Sequence, residues 1–144
     1  MVPEGRALVS GRATGGTLVL SEPLSFWGGI DPATGLIVDR LHPQAGEDTR
    51  GKILVMPTGR GSSSSSSVLA EAIRSGTGPA GIVLFEPDHM LALGALVASE
   101  LYGLEVPVVV LGERYGSLRD GLVLTVEADA ASGTARVSSQ GQEP

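Results

Sequence analysis

No cysteine occurs among the 144 residues. That excludes a disulfide framework, a thiolate zinc site and thiolate ligands for an iron–sulfur cluster within this chain. Any such cofactor must come from another polypeptide. Aromatic residues are nearly as scarce, with one Trp, two Tyr and two Phe, so the core has to be built from Val, Leu, Ile and Ala. Basic residues are outnumbered, 10 Lys and Arg against 16 Asp and Glu for a net charge of −6. A nucleic-acid partner needs clustered cations to displace counterions, and that balance argues against one. No apolar run reaches the roughly 18 residues that would span a bilayer, and "MVPEGRALVSG" has no signal architecture, so the reading is a cytoplasmic chain with no membrane partner. Two histidines without a carboxylate constellation give no metal site. His42, before Pro43, reads as a loop residue and His89 as a first-turn helix residue.

What is present is globular patterning: 42% hydrophobic and 18% charged residues over a length that suits one domain, 1–144, with 139–144 as a frayed tail. Short Val, Ile and Leu runs recur between Gly and Pro punctuation, at 7–9, 17–20, 36–38, 53–56, 82–85, 106–111 and 122–126, with a further one at 134–137. These read as strands. Val68, Leu69, Ala72 and Ile73 share one helical face, and Gly76 is a natural stop. A second helix over 88–102 opens on Pro87 and Asp88 and closes at Gly103. Its stretch "MLALGALVASEL" is apolar nearly all round, which predicts burial on several sides. Gly94 in its middle costs about 1 kcal/mol relative to Ala and so suggests close packing against another backbone. The early strand pairs read as antiparallel, and the strand–helix–strand–helix–strand order over 52–111 reads as parallel crossovers. The fold class is mixed α/β: a layered β/β/α domain with two main helices.

"GRGSSSSSSVLAEAIRSG", 59–76, could be a Ser-rich linker. Its flanks "KILVMP" and "VLAEAI" are too strongly patterned for that, and a strand, a Gly-rich turn and a helix fit better. The serines then occupy a first helical turn, where unpaired N–H groups and the positive dipole end favour an anion. Neither the Walker lysine nor the third glycine of a dinucleotide fingerprint is there. What remains is a hydroxyl at a helix start beside the Arg60 guanidinium. Serine is a weak base unless its anion is stabilised. A helix dipole supplies at most about 2 kcal/mol, or about one and a half pKa units, so a cation or a dry cavity must add to it.

The other unusual stretch is "SEPLSFWGGIDPATG", 21–35, which holds the only Trp. It reads either as a loop plugged into the core by Phe26 and Trp27, or as a site where Gly28 and Gly29 admit a ligand and Asp31 offers a carboxylate.

Three segments together, "PLSFWGGIDPATG", "HPQAGEDTRGKILVMPTGRGSSSSSSVL" and "GPAGIVLFEPDHMLALGALVASELYGLEVPVVVL", resemble the small swivelling domain of the aconitase X family. The likeness covers nearly the whole chain, and within the family it is greatest to the archaeal small subunits that act on phosphomevalonate. It implies a swivelling domain that works as the small subunit of a heterodimer, whose large subunit carries an iron–sulfur cluster. The implied reaction is dehydration of (R)-5-phosphomevalonate to trans-anhydromevalonate 5-phosphate in a modified mevalonate route. In aconitase-like swivel domains a Gly-Ser-Ser turn opens a helix and its first serine is the base. The matching position is Ser62 after Gly61, with Ser63 following. Aconitase continues with an arginine for a substrate carboxylate, where this chain has Ser64. Substrate binding is therefore expected at Arg60, Gly61, Ser63 and Asp31, with the carboxylate contact left to Arg60 or the partner.

Three other readings are open. The same family includes two-subunit cis-3-hydroxy-L-proline dehydratases that would use the same serine. A mobile phosphohistidine carrier domain has a similar fold, but aligned on "ALVASELYGLEVPVVV" its phosphoacceptor position holds Leu93. The third is a non-catalytic interaction module.

Overall fold

The computed structural model describes residues 4–59 and 64–140. Among them seven strands close into one mixed barrel in the order β1-β5-β4-β3-β2-β6-β7. These are β1 (Glu4–Val9), β2 (Gly11–Val19), β3 (Ile53–Met56), β4 (Gly81–Leu84), β5 (Val108–Val110), β6 (Val123–Asp129) and β7 (Thr134–Gln140). Strands β2, β3, β4 and β5 run parallel. Antiparallel pairings of β1 with β5 and β7, of β2 with β6 and of β6 with β7 complete the circuit. Between β2 and β3 lies a long excursion holding the kinked single turn α1 (Phe26–Gly29). Helices α2 (Ser64–Ser75) and α3 (His89–Tyr102) make the β3–β4 and β4–β5 crossovers.

Strand alternation sorts the short apolar runs into two cores. Ile53, Val55, Val83 and Val109 point into the barrel with Leu124, Val126 and Val137. Their neighbours Leu54, Met56, Ile82, Leu84 and Val108 point outward beneath Leu69, Ile73, Leu91 and Ala95 of the helices. A period of two places successive side chains on opposite faces, and both faces of a central parallel strand are covered, so β3 and β4 are apolar at every position. Each such Leu or Ile contributes about 1.5–3 kcal/mol of burial.

Several expectations change. β1 and β2 do not pair with each other: only Ser10 separates them, too few residues for a hairpin reversal. The expected antiparallel order of the early strands is thus replaced by antiparallel pairing with the chain's last strands and a parallel β2–β3 pair. The run 36–38 is not a strand but a place of isolated bridges, Ile30 with Ile37 and Leu36 with Asp48. β7 continues through Ser139 and Gln140, paired with Leu124 and Val123, which removes those two residues from the expected frayed tail. Residues 141–144 lie outside the described residues. Helix α3 is not buried on several sides. Leu91, Gly94, Ala95 and Ala98 face inward, while Leu93, Leu96 and Leu101 stay exposed.

Candidate functional site

In open parallel sheets, ligands sit beyond the carboxyl ends of the strands, where the loops entering the helices converge. Here that edge gathers the excursion after β2, the turn from β3 into α2 and the turn from β4 into α3. The β3–α2 turn carries the serine run. Arg60, Gly61, Ser62 and Ser63 lie outside the described residues. Gly59 before them and Ser64 to Ser67 after them, in the first turn of α2, fix where the run enters and leaves. The strand and the helix expected from the flanking patterns are present as β3 and α2.

Three contacts pin the entry to this turn. Gly59 forms a parallel bridge with Leu24 of the excursion. A Cβ on Gly59 would collide with the carboxylate of Asp88 and come within 3.1 Å of Leu91 Cδ1, so a side chain there would have to displace Asp88. Asp88 is itself committed: its Oδ1 accepts from the N–H groups of Met90 (2.9 Å) and Leu91 (3.1 Å), capping α3 as Pro87 and Asp88 predict. The turn after β4 is tied to the turn after β3, with the N–H groups of Phe85 and Glu86 both donating to Pro57 O at 3.0 Å.

Gly94 of α3 completes the support. A side chain there would sit 2.6 Å from Ser66 O and 3.1 Å from Ser66 Cα, so α3 lies directly on the backbone of the first turn of α2. This is the close approach inferred from a glycine in mid-helix. Both helices present their N-terminal ends to one edge, where the helix dipole favours negative charge, a place that the Asp88 carboxylate takes at α3. On the same edge the rings of Phe85 and Tyr115 meet edge to face with centroids 6.0 Å apart, and burial pushes the Tyr115 phenol above its ordinary pKa.

The aromatic pair of the excursion divides. Phe26 is fully buried in the core beneath the helices, whereas Trp27 is 60% exposed. Trp27 is also the residue that touches the serine helix: its N–H donates to Ser65 Oγ (3.4 Å) and its carbonyl accepts from Ser25 Oγ (3.0 Å). Gly28, at φ 80°, then turns the chain through the left-handed region that favours glycine. Ser65 is buried, so this bond satisfies a hydroxyl that water cannot reach.

Asp31 is not brought to the serine turn. Its Oδ1 accepts from Ala33 N–H (2.9 Å) and its carbonyl from Gly35 N–H (2.7 Å), the self-contained turn that an Asp-Pro dipeptide favours. Pro32 O accepts from Thr77 Oγ1 (2.6 Å), just past the C-terminal end of α2. The 12 residues of α2 put that end roughly 16 Å from its start. The structure thus places Asp31 in a turn at the far end of α2, and does not bring it to the first-turn serines. His42 is buried within the excursion, donating from Nε2 to Glu22 O (3.1 Å) and accepting at Nδ1 from Gln44 N–H (3.0 Å). His89 is exposed at the start of α3. Among the described residues no three of His, Cys, Asp or Glu cluster as metal ligands, and no helix is long and apolar enough to cross a membrane. Ser65 and Asp88 escaped the sequence reading as site supports. The serine run hid one, and the cap role absorbed the other.

Comparison with known proteins gives this geometry relatives. The family model described as the aconitase X swivel domain matches residues 2–137. A cis-3-hydroxy-L-proline dehydratase of Pseudomonas aeruginosa is 50% identical over 113 residues, 78% of this chain. That match occupies 20% of the longer protein, so this chain spans about a fifth of that relative's length. A phosphomevalonate dehydratase small subunit of Pyrococcus furiosus is 37% identical over 138 residues, covering 96% of each chain. In three dimensions the chain superposes on the aconitase X of Thermococcus kodakaraensis in its holo-form. The TM-score is 0.82 at 32% identity, over 96% of this chain and 98% of the other.

Proposed function

Because the chain belongs to the aconitase X swivel-domain family, we propose that it is the small subunit of a two-part hydro-lyase that removes water from a 3-hydroxy acid, with Ser62 as the base. The observation that carries this reading is the glycine turn and serine run led from β3 into α2 at the carboxyl edge, in a chain whose relatives bear dehydratase names. The chemistry asks for two things. A base must take the proton from the carbon beside the carboxylate, and an acid must assist the hydroxyl leaving the next carbon, so that a C=C bond forms and water departs.

This chain's residues suit the first task. In this reading Ser62 acts as an alkoxide stabilised by the start of α2 and becomes a neutral hydroxyl on taking the proton, while the C–H electron pair forms the C=C bond and expels the hydroxyl. The Arg60 guanidinium binds the substrate carboxylate, and Gly61 and Ser63 bring backbone N–H groups close. For the second task the residues do not fit: the chain has no cysteine, and among the described residues no three of His, Asp or Glu group as metal ligands. The proposal therefore places an iron–sulfur cluster in a large partner subunit and expects Ser62 to be inert alone.

Two substrates are supported by different observations. The higher identity, 50%, favours cis-3-hydroxy-L-proline. The end-to-end match to a separate small subunit favours (R)-5-phosphomevalonate, dehydrated to trans-anhydromevalonate 5-phosphate. Both carry the β-hydroxy carboxylate the mechanism needs. We place cis-3-hydroxy-L-proline first, because identity reflects residues around the site as well as the fold. Co-expression with candidate large subunits, followed by anaerobic assay of both compounds, decides between them. Turnover of phosphomevalonate alone would reverse the order, and turnover of neither would remove the dehydratase reading.

A further inference from the structure

We infer that the excursion between β2 and β3, through Trp27, Val38 and Leu41, is the surface on which the large, metal-bearing subunit docks. This deepens the function proposed above and rests on its two-subunit premise. Trp27, Val38 and Leu41 are 60%, 48% and 93% exposed in a chain with few other aromatic or loop apolar residues to spare. Internal bonds hold them on one platform. Val38 N–H donates to Gly29 O (2.8 Å) and His42 N–H to Asp39 O (3.1 Å). Leu41 N–H donates to Asp39 Oδ1 (3.0 Å), and His42 Nε2 reaches Glu22 O. Phe26, buried beside Trp27, anchors the platform to the core. An exposed indole that shares one hydrogen-bonded excursion with exposed Val38 and Leu41 has the composition of an interface anchor.

The choice of occupant comes from position. Trp27 donates to Ser65 in the first turn of α2, so the platform is continuous with the serine turn. A subunit that supplies a Lewis acid to a substrate held there has to cover the adjoining surface. In the Pseudomonas relative, the sequence matched by this chain is a fifth of one continuous protein, so a large second body accompanies the same domain there. The rival surface is the outer face of α3, with Leu93, Leu96 and Leu101 exposed. Its most exposed member, Leu101, lies at the C-terminal end of α3, turned away from the serine edge.

Titration of the intact chain against the co-expressed large subunit, by calorimetry, tests this. We expect Trp27→Ala to weaken assembly by about 30-fold or more and Leu41→Asp by about tenfold or more, as for truncated interface anchors. Leu101→Asp should bind like wild type. Since Trp27 is the only tryptophan, a 5-fluorotryptophan-labelled chain should show its single ¹⁹F resonance move on complex formation. Wild-type binding by both loop variants, or an unmoved resonance in an assembled complex, overturns the docking assignment and leaves the dehydratase reading standing. A complex that forms through the loop yet dehydrates neither substrate overturns the activity and leaves the docking surface standing. A wild-type chain that binds no large subunit overturns both.

Discussion

The two ends of the barrel differ in the chemistry they bring together. A hollow of about 690 Å³ lies at the amino edge of the parallel strands, lined by Glu4, Arg12, Glu105, Glu127, Asp129 and Arg136 among others. Its charges face water and mix in sign. Arg12 and Glu127 make an exposed pair at 3.5 Å, the kind worth about 0–1 kcal/mol. A second hollow of about 500 Å³ beside Gly76 and Gly78 sits at the same edge. The carboxyl edge brings converging chemistry together: two helix starts, a glycine packed against the Asp88 carboxylate, a buried serine and a capping aspartate, with the serine run entering α2 there. At the carboxyl edge backbones come close instead, with Gly94 lying on Ser66 and the N–H groups of Phe85 and Glu86 donating to Pro57 O.

The largest effect should come from the carboxyl edge. Ser62→Ala in the assembled enzyme is expected to lower kcat about 10²–10⁴-fold, the usual contribution of a positioned base, with KM changing far less and the complex still forming. Near-wild-type turnover in a normally assembled complex would take the base away from Ser62 and erase the contrast between the two ends. Next comes the support under the serine helix. Gly94→Ala gains about 1 kcal/mol in helix propensity but drives a Cβ to 2.6 Å from Ser66 O. Overpacking against backbone costs about 1–3 kcal/mol. The net expectation is a loss of up to about 2 kcal/mol, read as a fall in Tm of up to several degrees, together with reduced turnover because the first turn of α2 is pushed. A raised Tm with full activity would show that the turn yields freely.

How much of this was legible before the fold differs element by element. The runs 53–56 and 82–85 announced themselves as strands, because four apolar residues between turn signals leave little else, and the structure sets the second one residue earlier, at Gly81–Leu84. Helix α3 could be bounded nearly to the residue, since Asp88 and Gly103 have the cap chemistry that the structure then shows. Gly94 was readable as a close approach because glycine in mid-helix has an energetic cost that packing must offset. Barrel closure was not readable. Pairing β1 with β7 joins residues about 130 apart, and no local pattern records the partner. Nor was the division between Phe26 and Trp27. Adjacent aromatics look alike in sequence, and which one faces water depends on the α1 kink at Trp27 and Gly28. The outer face of α3 misled for a related reason: apolar character says that a surface avoids water, without saying whether its own chain covers it. Asp31 misled because turn chemistry and ligand chemistry use the same carboxylate.

That last ambiguity gives the smallest and most discriminating test. Asp31 belongs to the amino-edge side of α2, about one helix length from the serines, and its side chain holds Ala33 N–H. Asp31→Ala removes one local hydrogen bond near the surface, for which a loss of about 0.5–1.5 kcal/mol in stability is expected. Turnover and KM of the assembled enzyme should stay within about twofold, since nothing in the turn reaches the first turn of α2. The measurement is a thermal melt beside steady-state kinetics on one preparation. A variant that melts like wild type but binds substrate tenfold more weakly would show that the partner folds the Asp31 turn toward the substrate, and the two ends of the helix would then belong to one site.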